Sequence, residues 1–267
     1  MYLVFDIGGT HLRAGVSQDG KTVAAHETIA TPKDANEGIR LLTKLAGELA
    51  AGETITNLAG GIAGVWDRDK TQLVSSPNLP GWQRQPIKEV LEQQFTCTVT
   101  LHNDAVLAGL GEAAQGAGKG YDIVAYLTIS TGVGGVRITH GRVDETSFGF
   151  EPGQQVIDTE GHTLEYYAGG ASLKRRFGLE PTDLNDPAVW KEASHRLAQG
   201  LVNVVALWSP DVIVLGGAIV AAGRFSIEKL RQDIKTLTPW LPDIPNIQTA
   251  TLGDERGLLG ALQSLAL

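Results

Sequence analysis

The sequence predicts an α/β protein of two lobes, and three observations carry that prediction. Apolar runs of strand length alternate with stretches whose apolar residues recur at helical spacing. The order restarts near residue 122 with the same opening of apolar strand, glycine-rich turn and second strand. At 267 residues the chain exceeds one minimal core and suits two modest ones.

The elements follow in order. Residues 2–7 (YLVFDI) read as a buried strand, and 11–18 and 22–30 as two more, joined at the Asp19-Gly20 turn. Ile39, Leu42, Leu45 and Leu49 give 35–50 a helical stripe. A strand at 56–63 leads into a loop rich in Pro, Asn and Gly that runs through 82. Then come a helix at 86–95, a strand at 97–102 and an alanine-rich helix at 104–116. In the second half, 122–130 is a buried strand, a turn at 132–135 leads into a strand at 136–139, and 144–163 is loop-rich. Helices near 164–176 and 187–209 precede a strand at 212–215, a helix at 226–236, a strand at 246–250 and a helix at 255–265. The expected lobes are 1–114 and 115–267, with the final helix, 255–267, free to pack back on the first.

Composition narrows the function. The net charge is −8 and no basic run exists, which argues against nucleic acid as the partner. Cys97 is the only cysteine, so neither an intrachain disulfide nor a four-cysteine zinc site can form. Met1 leads straight into strand without a basic and apolar leader, and no apolar run approaches the ~20 residues that span a bilayer. A cytoplasmic enzyme or sensor is expected. Gly116-Ala117-Gly118-Lys119-Gly120 imitates a P-loop, but that pattern needs Gly at 113 and Ser or Thr at 120, where Ala113 and Gly120 stand.

Three glycine-rich segments carry the chemistry. Asp6-Ile7-Gly8-Gly9-Thr10 and Thr128-Ile129-Ser130-Thr131-Gly132-Val133-Gly134-Gly135 each place small residues and hydroxyls at a strand end. Successive N–H groups bared there form an anion-binding concavity. Val214-Leu215-Gly216-Gly217-Ala218 ends a third buried strand with glycines against which a flat nucleoside can lie. Among the acids, Asp104 stands where a strand passes into a helix, a position that suits an N-cap as well as a general base. Asn78, Glu151 and Glu165 lie in loops or at a helix start with no evident structural need for them.

In this order the glycine segments resemble the phosphate and adenosine segments of the actin, Hsp70 and sugar-kinase ATPase fold, which is ribonuclease H-like. More specifically, Asp6 to Arg13, Ala63-Gly64-Val65-Trp66-Asp67, Asn78-Leu79-Pro80-Gly81-Trp82, Asn103-Asp104 and Ser130 to Gly135 resemble the ROK family of repressors, open reading frames and kinases. The likeness runs from residue 3 to about 261 and is nearest to bacterial glucokinases.

The resemblance implies an ATP-dependent hexose kinase that phosphorylates a sugar 6-hydroxyl in an interlobe cleft, with Asp104 as general base and glucose first among its substrates. Gly64, Asn78, Asn103, Glu151 and Glu165 match groups at the sugar. Asp6, Gly8, Gly9, Thr10, Arg13, Thr131, Gly132 and Gly134 match the cradle of the triphosphate and Mg²⁺, and Gly216 and Gly217 the adenosine platform. Where most members carry a histidine and three cysteines that bind structural zinc, this chain has Gln154 and the short run Val156 to His162, so no structural zinc is expected. Gln154 and His162 are left as candidate sugar ligands. The expected partners are small molecules only, with neither nucleic acid nor membrane, and pairing of two chains stays open. Alternatives within the resemblance are a kinase of N-acetylmannosamine, fructose, mannose or allose, a polyphosphate donor, and a non-catalytic or regulatory sugar-binding member.

Overall fold

A computed structural model describes residues 1–266 and divides them into two compact units. The first comprises residues 1–114 and 145–149 and the segment from 252 on, and the second 115–144 and 150–251. Residues 145–149 belong with the first unit and not with the lobe expected at 115–267, and the C-terminal segment joins the first unit, the packing left open for the final helix.

In the first unit, β1 (Tyr2–Ile7), β2 (His11–Ser17) and β3 (Ala25–Ala30) are antiparallel neighbours. The third strand starts later than residue 22 because the Asp19 carboxylate holds the N–H groups of Lys21 and Thr22, both at 2.8 Å, inside the turn. Helix α1 (Ala35–Ala50) begins where Asp34 accepts from the Glu37 N–H and buries Ile39, Leu42 and Ala46. Strand β4 (Asn57–Ile62) runs parallel to β1. A small ribbon, β5 (Val65–Trp66) with β6 (Leu73–Ser75), occupies what the sequence presents as loop. Helix α2 (Ile87–Phe95), β7 (Thr98–His102) and α3 (Asp104–Gln115) follow, giving a sheet of order β3-β2-β1-β4-β7.

The second unit repeats that order. Strands β8 (Ile123–Ile129), β9 (Val133–Thr139) and β10 (Arg142–Val143) are antiparallel. Then come α4 (Leu164–Ala168), α5 (Gly170–Phe177), α6 (Pro187–Trp208), β11 (Val212–Gly216), α7 (Ala218–Ala221), α8 (Ile227–Leu237) and β12 (Asn246–Thr249). The sheet is β10-β9-β8-β11-β12, again three antiparallel strands and then two parallel ones. The two strand–turn–strand openings are thus equivalent positions in equivalent sheets.

Two further boundaries differ from expectation. The strand after the second turn begins at Val133, because Gly134 and Gly135 pair with Thr128 and Leu127. A side chain at 135 would lie 2.6 Å from the Tyr126 carbonyl, so this glycine serves packing. The single helix expected over 164–176 is two, because the N–H groups of Gly170 and Ala171 turn to the carbonyls of Ser130 and Thr131, each at 2.8 Å.

Helix α9 (Arg256–Leu265) packs on β1 and β4. Its approach to α3 is close: a Cβ at Gly111 would strike the Arg256 carbonyl, and one at Gly260 the Leu107 carbonyl. Glycines at the crossing let the two backbones touch.

The Asn78-Leu79-Pro80-Gly81-Trp82 string is a plug. Trp82 is fully buried, donates from Nε1 to the Pro32 carbonyl at 2.9 Å, and fills the notch left by Gly38 on α1. Gly81 passes too close to the Lys33 carbonyl to carry a side chain. Trp82→Ala is expected to cost about 3–5 kcal/mol of stability, read as a lower denaturation midpoint in urea. A loss under about 1 kcal/mol, the size of an ordinary surface effect, would remove the plug role.

Candidate active site

In the first unit the C-terminal ends of β1, β4 and β7 bring the acids together. Asp6, Gly61 and His102 are register neighbours across the three strands, and Asp104 opens the helix two residues on. Gly61 is what lets it do so: a Cβ there would lie 3.2 Å from the Asp104 Cα and 2.9 Å from Leu107. The cap of α3 is Asn103 rather than Asp104, since Asn103 Oδ1 accepts the Ala105 N–H at 2.8 Å. Asn103 also donates through Nδ2 to the Gly64 carbonyl at 2.7 Å. Its side chain is therefore chiefly a brace, with one N–H left for a ligand. The same loop is held by buried Ser76, which donates to the Ala63 carbonyl at 2.6 Å. Gly64 itself has φ +142° and would meet the Ser75 carbonyl at 2.7 Å, so its backbone stays bare.

The turn at Gly8-Gly9-Thr10 lies in the same unit. Gly8 donates to the His11 carbonyl at 2.9 Å, and Thr31 Oγ1 donates to the Gly8 carbonyl at 2.7 Å. Gly9 faces exposed Asn78, whose Cβ is 2.9 Å from where a side chain would start. Arg13 reaches Asp6 at 3.8 Å and Asp254 at 3.4 Å, so it anchors acids.

In the second unit the bend is Ser130-Thr131-Gly132, and Gly134 lies in the ladder behind it. Glu165 packs under this bend: its Oε2 accepts the Val133 N–H at 2.8 Å and occupies the space a side chain on Gly132 would need. Glu151 and Gln154 are exposed. His162 lies in a closed cluster, with Nδ1 2.8 Å from Asp158 Oδ2 and its ring stacked on Tyr166 at 4.0 Å. Gly216 and Gly217 abut β8, where side chains would strike the Tyr126 hydroxyl at 2.5 Å and the Ile129 backbone. Close packing requires glycine at both positions. The open cavity beside the bend, about 240 Å³, is lined instead by the residues that follow them, Ala218, Ile219, Ala222 and Arg224, and by Glu180, Pro181 and Thr182. The sequence reading missed this lining and Gly61; the paired glycines 60–61 inside a strand were the available signal for the latter.

A profile of the ROK family matches residues 2–266. The chain belongs to the ROK family. The glucokinase of Thermotoga maritima is 26% identical over 298 residues, spanning 96% of this chain and 94% of that protein. A ROK hexokinase from Thermus thermophilus superposes with a TM-score of 0.86 at 30% identity, covering 98% of this chain and 97% of its own. An inorganic polyphosphate/ATP-glucomannokinase from Arthrobacter sp. strain KM gives a TM-score of 0.73 at 26% identity, covering 99% and 98%. The fold is that of the actin/Hsp70-like sugar-kinase ATPases.

This ROK chain places unusual electrostatics at its acids. Asp6 is pushed up to about 7, first by burial, then by the charge of Asp104, against the pull of Arg13 and Arg256. Burial likewise raises Asp104, outweighing the Ala105 N–H and Arg256. Burial also lowers His102 to about 4, with Lys70 assisting, so this histidine is neutral at pH 7. In the second unit, Asp158, Glu160 and His162 offer ligand atoms within 4.8 Å of one another. They do not fit a zinc cradle, because Asp158 Oδ2 already takes His162 Nδ1 and the Tyr167 hydroxyl at 2.6 Å. No helix among the described residues is long and apolar enough to cross a membrane.

Asp6 yields a pH prediction with a definite sign. A carboxyl whose folded pKa lies above its unfolded value of 3.8 binds more protons when folded, so its contribution to stability falls as pH rises from about 4 to about 7. Asp6→Asn is expected to remove that slope. Urea denaturation at pH 5 and pH 8 should show the variant gaining on the wild type at the higher pH; equal differences at both would contradict it.

Proposed function

We propose that this chain is a sugar kinase that transfers the terminal phosphoryl group of ATP to the 6-hydroxyl of a hexose, with Asp104 as the general base and glucose as the leading substrate. The observation that carries the reading is Gly8. Its φ lies outside the left-handed region, and a side chain there would come no closer than 3.8 Å to any neighbour. Nothing in the protein requires glycine at that point, so the bare backbone is explained by something that approaches from outside. A phosphate chain on exposed N–H groups is such a visitor. The ROK relatives, named for glucokinase, hexokinase and glucomannokinase activities, support the same substrate class.

A sugar hydroxyl is too weak an acid to attack unaided, and a carboxylate with a raised pKa is a better base near neutral pH than an ordinary one. Asp104 has that property through burial. Asn103, Gly64 and Asn78 would orient the sugar, and the bared backbone at Gly8-Gly9-Thr10 would hold phosphate in the same unit. Asp6 Oδ1 is buried without a hydrogen-bond partner, which suits an ion, so Asp6 fits the role of holding Mg²⁺. Bound there, the ion would offset phosphate charge.

Two outcomes test this. Asp104→Asn should lower turnover by about 10²–10⁴-fold while sugar affinity, measured by calorimetry, stays within a few fold. Near wild-type turnover would remove Asp104 from the reaction. Gly8→Ala should leave stability within about 1 kcal/mol of wild type yet weaken binding of ATP. Intact nucleotide affinity in that variant would contradict the phosphate role.

A further inference from the structure

Resting on the sugar-kinase reading, we propose that Arg224 is a positioning residue of the donor pocket. Its guanidinium ties the segment 180–185 to the segment 218–225, so that the cavity between them is preformed for the nucleoside of the donor.

The cavity lies wholly in the second unit and begins at Ser130 and Thr131 of the glycine bend. A phosphate chain on that bend would carry its nucleoside toward this space. Pro181, Ala218, Ile219 and Ala222 supply apolar surface suited to a flat base, while Thr182, Glu180 and Arg224 supply polar edges. An inorganic polyphosphate, which carries charge along its whole length, would gain nothing from apolar walls.

One wall is a short turn with few anchors. The N–H groups of Asp183 and Leu184 bond the Glu180 carbonyl, and Leu184 is buried. Trp190 Nε1 donates to the Leu184 carbonyl at 2.6 Å. The other wall is α7 and the turn after it, where the Arg224 N–H bonds the Ile219 carbonyl at 3.3 Å. Arg224 joins the two: it donates to the Thr182 carbonyl and to Asn185 Oδ1, the latter at 3.3 Å, while its guanidinium lies 5.2 Å from the Trp190 ring centre. A planar fork that bonds two acceptors and also stacks cannot be copied by a lysine. Glu180 is paired with Lys174, and Arg224 is the cation among the residues that line the cavity.

The test uses the full chain and separates binding from chemistry. In Arg224→Ala, KM for ATP and the dissociation constant of ADP, measured by calorimetry without sugar, should rise roughly tenfold or more, the loss expected for charge-assisted hydrogen bonds. The kcat at saturating ATP and the KM for sugar should stay within about twofold. Arg224→Lys should fall between. Ala222→Leu, which fills the cavity and keeps the arginine at 224, should show the same rise and keeps the test open if Arg224→Ala folds poorly. Unchanged ADP affinity in either Arg224→Ala or Ala222→Leu would overturn the proposal, as would a loss of kcat with ADP affinity intact. A wild type that binds no ADP and accepts only polyphosphate would overturn it too. If no sugar is phosphorylated but ADP binding falls in both variants, the catalytic reading fails and this one stands.

Discussion

Asp104 can open α3 where it does only because the strand beside it has no side chain at residue 61. The Asp104 Cα and the Leu107 side chain fill that space, which sets a carboxylate next to Asp6 at the ends of three parallel strands. Two acids so close, both half-buried, cannot both ionise cheaply, and each is pushed upward by burial. The rest of the first unit maintains this arrangement. Asn103 caps the helix and fixes the Gly64 carbonyl, Ser76 fixes Ala63, and α9 crosses α3 on glycine contacts, while a Cβ on Gly257 would come within 2.6 Å of Asp6 Oδ2.

The second unit solves a similar problem with other residues. Its bend is gripped from one side by the first N–H groups of α5 and from beneath by Glu165. That grip explains why one predicted helix is broken at Gly169 and why Glu165 is tied to backbone rather than standing free. The Asp158 carboxylate holds the loop before α4 by accepting from the N–H groups of Glu160 and His162, both at 2.9 Å, as well as from Tyr167. These bonds keep Asp158 well below the usual carboxylate range, chiefly through the Tyr167 hydroxyl.

Much of the architecture was legible in the sequence because it rests on periodicity. The apolar stripe of α1, the buried runs of β1, β8 and β11, and the Asp19-Gly20 turn each announce themselves by spacing or turn chemistry. What stayed hidden depends on close approach between distant segments. Gly61, Gly38 and Gly81 look like weak points until Asp104, Trp82 and Lys33 are brought against them. The packing of Gly216 and Gly217 against Tyr126 and Ile129 is hidden in the same way. The two bonds of Asn103 to backbone likewise emerge only when Gly64 is adjacent. The lining at 180–182 gave no sequence signal, because Glu-Pro-Thr is unremarkable without the cavity it borders.

The account as a whole rests on phosphate held by bared backbone and a hexose hydroxyl deprotonated beside it. Its most direct test is the release of ADP from magnesium ATP by the wild-type protein, followed with and without a panel of hexoses. The account predicts release that depends on hexose and is matched mole for mole by hexose 6-phosphate. Release that no hexose accelerates, or a product phosphorylated at another hydroxyl, would contradict it.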